Sequence, residues 1–250
     1  MIGGIISGLG GIVHSLLTVY IWIVIIGALL TWVRPDPYNP IVQIIYRLTE
    51  PAYRALRRLM PTVFNGLDTT IFRYIPDRTT PHKRPLVIHV TPNFYDKIKG
   101  GQHVIETAKR CPEVDFIVVG SEAKSGMDFP NNIEFLGKVS DQKMLAEVYS
   151  NADVCLLTSL RETFSMVTAE SLCCGTPVVG FKAGGPESIA LKKYSNFVNQ
   201  NDDDALESAL RAMLESKFTK EEISNEAVGK YSEKKMCQRY YQIYKQLLNA

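Results

Sequence analysis

The first 33 residues contain no aspartate, glutamate, lysine or arginine; the first charged side chain is Arg34, and all 28 basic and 26 acidic residues follow from there. The averages of the 250-residue chain, 46% hydrophobic and 22% charged with a formal net charge of +2, hide that division. They exclude a disordered chain, a collagen-like repeat and a disulfide-stapled mini-protein. An uncharged stretch of this length beside a body about a quarter charged implies two solvents, lipid and water. Paired cysteines are missing as well. Cys111, Cys155, Cys173, Cys174 and Cys237 are odd in number and form no C-x-x-C pair, and His14, His82, His89 and His103 show no metal-ligand spacing. The expected body is reduced, cytosolic and without metal.

Residues 12–33 read IVHSLLTVYIWIVIIGALLTWV. At about 1.5 Å per residue they reach about 33 Å, enough to cross a hydrocarbon core of about 30 Å. A secretory signal peptide is disfavoured: there is no basic n-region, the run is too long and no small-residue cleavage site follows it. A buried core helix would need cover on all sides that nothing nearby supplies. Trp32 and Tyr38 fall where an interfacial aromatic belt would lie. Arg34, Arg47, Arg54, Arg57 and Arg58 then outnumber Asp36 and Glu50, so the positive-inside rule predicts a single-pass protein with its C-terminal side in the cytoplasm.

The turn RPDPYNP ends the span. Over residues 40–60, Ile41, Ile44, Ile45, Leu48, Ala52, Leu56 and Leu59 recur at helical spacing, with arginines on the other face. A basic amphipathic helix there belongs in a headgroup layer, the alternative being a helix packed on the soluble body. The string WVRPDPYNPIVQIIYRLTEPAYRALRRLMP resembles the YggT family of small membrane proteins, whose repeat has a span, a DPYNP-like turn and a TEP-x-x-x-x-x-R-R-x-x-P helix. The resemblance covers about residues 12–61. Members of that family usually continue with a second hydrophobic segment, which is expected to be missing here.

From Pro85 onward, strands and helices alternate. Residues 85–90, 115–120, 133–137, 154–158 and 176–181 read as strands of a buried parallel sheet. Residues 101–110, 141–149, 165–173 and 186–190 read as helices, and after NFVN at 196–199 come helices at 203–214, 220–228 and 232–248. This is the rhythm of an α/β, Rossmann-like doubly wound sheet. Two domains are therefore expected, a membrane segment at 1–62 and a globular one at 63–250.

In such sheets ligands bind beyond the carboxyl ends of the strands, where glycine-rich loops meet helix N-termini. Residues 95–101, 159–170 and 181–188 have that form. Glu162 lies in a loop leaving a strand and Glu170 lies eight positions on, two turns into the next helix, so both could look into one crevice. The amides of Phe164, Ser165 and Met166 would meet an anion at the helix start. Carboxylates for sugar hydroxyls beside amides for phosphate suit a nucleotide-sugar, although two glutamates alone are also what a solvated loop and an exposed helix would carry.

The string RETFSMVTAESLCCGTPVVGFKAGGPESI resembles the nucleotide-sugar half of retaining GT-B glycosyltransferases, whose pattern is E-F/T-F-x-x-x-x-x-E-A-x-x-x-G-x-P-V-V followed by a G-G-x-x-E loop. Glu162, Phe164, Glu170, Gly175, Pro177, Val178, Val179, Gly184, Gly185 and Glu187 match it, with the last loop one residue shorter. The resemblance covers about residues 64–248. It implies the C-terminal half of a GT-B fold and a donor such as a UDP- or GDP-linked hexose. It implies catalytic roles for Glu162, against the donor sugar, and for Lys99, which neutralises the leaving diphosphate, with Lys97 as the other candidate. Glu170 would hold ribose hydroxyls, the amides of Phe164, Ser165 and Met166 the diphosphate, and Gly184, Gly185 and Glu187 would line the sugar pocket. No cofactor or metal is implied.

Two departures stand out. The family's G-R-L-like turn before the lysine is Thr91-Pro92-Asn93 here, and the acceptor-binding N-terminal half is expected to be absent, a membrane helix taking its place. A partner chain carrying the acceptor half is the expected complement. The segment PTVFNGLDTTIF satisfies the YggT pattern and the glycosyltransferase pattern at once over residues 65–68, as if two frames were joined there. The main expectation is a membrane-anchored donor-binding domain for retaining glycosyl transfer. The alternative is a YggT-like integral membrane or assembly protein with an inactive nucleotide-sugar-binding passenger. Residues 1–62 carry net +3, five arginines against two acids, and the body net −1, so the slight basicity points to lipid and not to nucleic acid.

Overall fold

The computed structural model describes residues 2–33, 39–59, 64–76 and 82–248. They belong to two compact units, Met1–Thr62 and Val63–Ala250. Trp32, Arg34, Tyr38, Arg54, Arg57 and Arg58, which carried the aromatic-belt and charge arguments, have side chains outside the described set.

The first unit is a pair of helices. Helix α1 runs Ile2–Val33, ten residues earlier than the span read from sequence, because nothing in the uncharged lead stops a helix. Its stretch Gly10–Leu30 is long and apolar enough to cross a membrane. Helix α2 runs Pro40–Leu59 and opens on Asn39, whose side-chain oxygen accepts from Ile41 N at 2.9 Å. The two helices touch at small residues and tyrosine hydroxyls. A Cβ on Gly27 would stand 3.0 Å from the Thr49 methyl, Tyr20 donates to the Leu48 carbonyl and Tyr53 to that of Val24. The contact face of α2 therefore includes Thr49 and Tyr53, whereas Ile41, Ile44 and Leu48 stay exposed.

The second unit is a six-stranded, all-parallel sheet: β1 (Leu86–Val90), β2 (Asp115–Val119), β3 (Ile133–Gly137), β4 (Val154–Leu157), β5 (Val178–Phe181) and β6 (Ser195–Val198). The order β3-β2-β1-β4-β5-β6 reverses direction between β1 and β4. Central β4 and β5 are wholly buried, as continuous apolar runs require, while edge strands β3 and β6 keep exposed positions. NFVN supplies most of β6.

The connecting helices are α3 (Gly101–Arg110), α4 (Gln142–Asn151), α5 (Met166–Cys173), the single turn α6 (Pro186–Ile189), α7 (Asp203–Leu214), α8 (Lys220–Tyr231) and α9 (Glu233–Leu248). Asp141, Asp202 and Thr219 cap α4, α7 and α8 by accepting from backbone amides two or three residues on. One core lies under α4, α5 and α8 and includes Ile88, Tyr149, Leu172 and Tyr231. The other lies under α3 and α7 and includes Val87, Val104, Leu156, Phe181 and Leu210. Residues 64–76 are part of this unit. Leu67 exchanges backbone hydrogen bonds with Tyr231 (2.8 Å) and Glu233 (3.1 Å), and Leu67 and Phe72 are buried in the first core.

Candidate functional site

Three loops leave the carboxyl ends of β1, β4 and β5 and are tied to one another by backbone bonds. The Thr158 hydroxyl donates to the Lys99 carbonyl at 3.0 Å, and Leu160 N donates to the Ile98 carbonyl at 2.8 Å. Glu162 N donates to the Ala183 carbonyl at 2.9 Å, and the Glu162 carbonyl accepts from Gly185 N at 3.0 Å. Such close approach needs glycine. A Cβ on Gly185 would meet the Thr163 carbonyl oxygen at 2.5 Å, and one on Gly101 would meet that of Phe94 at 2.1 Å.

Within the β1 loop Asp96 organises the turn: its carboxylate accepts from Ile98 N at 2.9 Å and its carbonyl from Lys99 N at 2.9 Å. Lys99 Nζ consequently reaches Glu162 Oε1 at 2.8 Å, the two side chains 28% and 19% exposed. This partly shielded pair joins the two residues named as catalytic candidates. Lys97, on the same turn, is exposed.

Ser165 caps α5 from the left-handed region at φ 71°, with its hydroxyl 2.9 Å from that of Thr168. A non-glycine residue held there costs about 1–2 kcal/mol, a strain that tends to be kept where function needs the geometry. Phe164 and Met166 flank it, both half-buried, and the Phe164 ring lies 6.1 Å from that of Phe64. These residues open a helix, where the first N–H groups have no intrahelical acceptor. That is the geometry for an anion such as a diphosphate.

Glu170 faces a different neighbour from Glu162. Its carboxylate accepts from the Tyr149 hydroxyl at 3.1 Å, and burial pushes its pKa above the ordinary glutamate range, with the tyrosine bond opposing. Glu187 serves its own loop: its two oxygens accept from Ala183 N (3.0 Å) and Gly184 N (2.8 Å), so it holds the Gly184–Gly185 turn in shape. Gly184 is exposed at φ 99° and Gly185 is buried.

His89 on β1 is a further neighbour that motif reasoning passed over. Its Nδ1 lies 2.8 Å from the Leu156 carbonyl, while its buried Nε2 has no partner among the described residues. Burial lowers its pKa to about 4, the Leu156 bond opposing and the Lys99 charge assisting. Tyr149, Thr158 and Asp96 were missed for a common reason: each acts through a contact distant in sequence or through backbone, and no spacing rule signals it.

A cavity of about 440 Å³ opens at the opposite end of the strands, beside Arg84, Asp153, Pro177 and Phe218. Three of the basic groups lining it are engaged: His82 with Asp153 at 2.7 Å, Arg84 with Asp115 at 3.0 Å, and Lys220 with the Ser150 and Ala152 carbonyls. Ligands of open α/β sheets bind at the carboxyl ends, at the reversal of strand order. The Lys99–Glu162 pair lies at that end, and this cavity does not.

The family model for group 1 glycosyl transferases matches residues 84–216, which include all six strands, Glu162, Glu170, Glu187 and Lys99. The chain belongs to the group 1 glycosyl transferases. A second model, CCB3/YggT, matches residues 6–73 and so runs past the boundary between the compact units. Among curated proteins, the D-inositol 3-phosphate glycosyltransferase of Mycobacteroides abscessus is 32% identical over 106 residues, 37% of this chain and 24% of that protein. The N-acetyl-alpha-D-glucosaminyl L-malate synthase of Bacillus anthracis is 31% identical over 147 residues, 51% of this chain and 37% of that protein. A D-inositol 3-phosphate glycosyltransferase of Corynebacterium urealyticum is 25% identical over 228 residues, 79% of this chain and 54% of that protein. The chain thus spans about a quarter to a half of these relatives' lengths.

Solved structures share the fold. Sucrose-phosphate synthase from Thermosynechococcus elongatus has a TM-score of 0.65 at 24% identity, covering 80% of this chain and 57% of that one. HepE from Anabaena, in complex with UDP-glucose, has a TM-score of 0.63 at 19% identity, covering 82% and 62%. The C-terminal domain of a group 1 glycosyl transferase from Francisella tularensis is covered completely, with 67% of this chain, at 22% identity and a TM-score of 0.53.

Proposed function

We propose that the second unit binds a nucleoside-diphosphate sugar and serves retaining glycosyl transfer, with Glu162 against the sugar and Lys99 against the diphosphate. The observation that carries this reading is the 2.8 Å Lys99–Glu162 pair at the carboxyl ends of β1 and β4, with Glu162 three residues before the cap of α5. A fixed ammonium and helix-start amides would stabilise the charge that develops as the sugar–phosphate bond breaks, so the reading needs no metal. Glu170, oriented by Tyr149, is placed on the ribose hydroxyls. Gly184 and Gly185 give the sugar close access to backbone, and Glu187 keeps their loop closed. The UDP-glucose in the HepE neighbour favours a UDP-hexose as the first donor to test.

An acceptor-binding half would come from a partner chain or from another part of the polypeptide. We place α1 across a bilayer with the second unit in the cytoplasm, supported by the uncharged Gly10–Leu30 stretch and by the Ile41–Ile44–Leu48 stripe, which α1 leaves uncovered. Calorimetry with UDP- and GDP-sugars on wild type and Glu170→Ala tests the site. At least a tenfold loss in the variant is expected, about 1.4 kcal/mol. Equal affinity in both proteins removes the assignment of Glu170.

The CCB3/YggT match over residues 6–73 favours a second reading, in which the membrane segment sets the biological role and the second unit is its passenger. Growth or localisation phenotypes that survive deletion of residues 75–250 support that reading, and phenotypes lost on deletion count against it.

A further inference from the structure

The cavity at the amino ends of the strands sets two lysines against an apolar wall. It has a volume of about 440 Å³, within the range of about 300–1,000 Å³ usual for small-molecule sites. Met213, Leu214 and Phe218, around the end of α7, supply the wall. Lys83 comes from the run His82-Lys83-Arg84 before β1, and Lys220 opens α8. The carboxyl-end rule locates the substrate of an open sheet and leaves this end free for a second ligand. No residue proposed for the donor site lines the cavity.

The charges around the cavity are uneven. Among the described residues lining it, Asp153 is the one carboxylate, and its Oδ2 accepts from Leu86 N at 2.8 Å and lies 2.7 Å from His82 Nε2. Arg84 is taken up by Asp115 and by the carbonyls of Pro112 and Glu113. Lys83 is exposed and makes no ion pair among the described residues. Lys220 Nζ donates to the Ser150 and Ala152 carbonyls at 2.7 and 2.5 Å, and an ammonium has a third N–H to give. Burial lowers its pKa, the Asp153 charge opposing, so a bound anion would favour its charged form. Two ammonium groups match a phosphate monoester, which carries a charge of about −1.5 to −2 at neutral pH, and lysines bind phosphate as point charges. A bare phosphate would leave the apolar wall untouched. An organic body lying on Met213 and Phe218 covers it, at about 25 cal/mol for each Å² removed from water.

We infer that this cavity binds a small organic phosphate, its phosphate on Lys83 and Lys220 and its body on Met213 and Phe218. The inference is independent of the donor reading, and phenyl phosphate is its probe because it carries both parts. Calorimetry is run on the full chain in nonionic detergent. Phenyl phosphate should bind at least tenfold more tightly than inorganic phosphate. Lys83→Glu, a change at an exposed position, should weaken it at least tenfold and leave the melting temperature unaltered. Lys220→Met should weaken it as much, at a lower melting temperature because the Ser150 and Ala152 carbonyls lose their donor. Lys99→Ala should bind it as wild type does. Binding that is absent at millimolar concentration, no tighter than that of inorganic phosphate, or unaltered in either cavity-lysine variant overturns the inference. So does binding that survives Lys83→Glu and is lost in Lys99→Ala, which would return the ligand to the donor site.

Discussion

Glu170 sits two turns into α5 with its carboxylate 3.1 Å from the Tyr149 hydroxyl, and burial raises its pKa above the ordinary glutamate value. Below the unfolded-state pKa the carboxyl is protonated in both states and costs nothing. As pH rises through the raised native pKa, the fold must accommodate a charge that the unfolded chain carries more easily. Glu170→Gln should therefore raise the melting temperature at neutral pH and lose that advantage near pH 4, while weakening donor binding. Melting curves across that range decide, and a variant less stable than wild type at neutral pH sinks the argument. His89 works in the opposite direction. Its pKa drops from 6.5 to about 4, so stability is full above the unfolded value and is lost as pH falls from 6.5 toward 4. The loss is about 3 kcal/mol at 1.36 kcal/mol per pH unit. Denaturant titrations of wild type at pH 7 and pH 4.5 should show it, and a flat profile would place the histidine in a wetter site. Glu162 could be named as a candidate from the sequence because it sits in a dense local motif, and Lys99, 63 residues away, only through the family resemblance. Tyr149 and His89 could not, since their partners Glu170 and Leu156 lie 21 and 67 residues away.

At the scale of the element, the loops are held by glycines whose neighbours are backbone and cannot give way. Gly185→Ala pushes a methyl to 2.5 Å from the Thr163 carbonyl, so the β4 and β5 loops must part. A loss of about 1–3 kcal/mol in stability is expected, together with donor affinity. Gly126→Ala is the control: at φ 81° it carries the left-handed penalty, but nothing lies within 4 Å of the new methyl. It should cost about 1–2 kcal/mol and leave donor affinity unchanged. Calorimetry on both variants separates a loop that shapes the site from one that merely fills space. Helices and buried strands of the second unit were readable because apolar runs and capping residues coincide, as at Asp141 and Asp202. Where tertiary contacts overrule local pattern, the sequence misled. Helix α8 continues through Gly229 to Tyr231 because the tyrosine is buried and its hydroxyl reaches the Ile189 carbonyl at 2.6 Å. Helix α2 turns Thr49 and Tyr53, not its most apolar stripe, toward α1, because small and hydroxylated residues let helices approach closely.

For the whole molecule, the uncharged stretch lies within the first compact unit, which runs on to Thr62, and all five cysteines lie in the second, so chemistry on them can read which side of a bilayer that unit occupies. Cys111, Cys155, Cys173 and Cys174 are buried, and burial raises the pKa of each, to about 12 for Cys155 and Cys173. Thiolate is the reactive form, so these four should resist maleimide in the folded protein whichever side they face. Cys237, exposed on α9, should react wherever reagent reaches it. If α1 spans the membrane with its basic flank inward, the chain stays with membranes through alkaline carbonate washing. An impermeant maleimide then labels Cys237 only after cells are permeabilised, and a permeant one labels it at once. Cys237→Ser should abolish both signals without changing retention. Labelling by the impermeant reagent in intact cells would place the second unit outside and remove it from cytoplasmic nucleotide-sugars. Release by carbonate would show that α1 lies along the surface, where its uncharged faces could not all be covered.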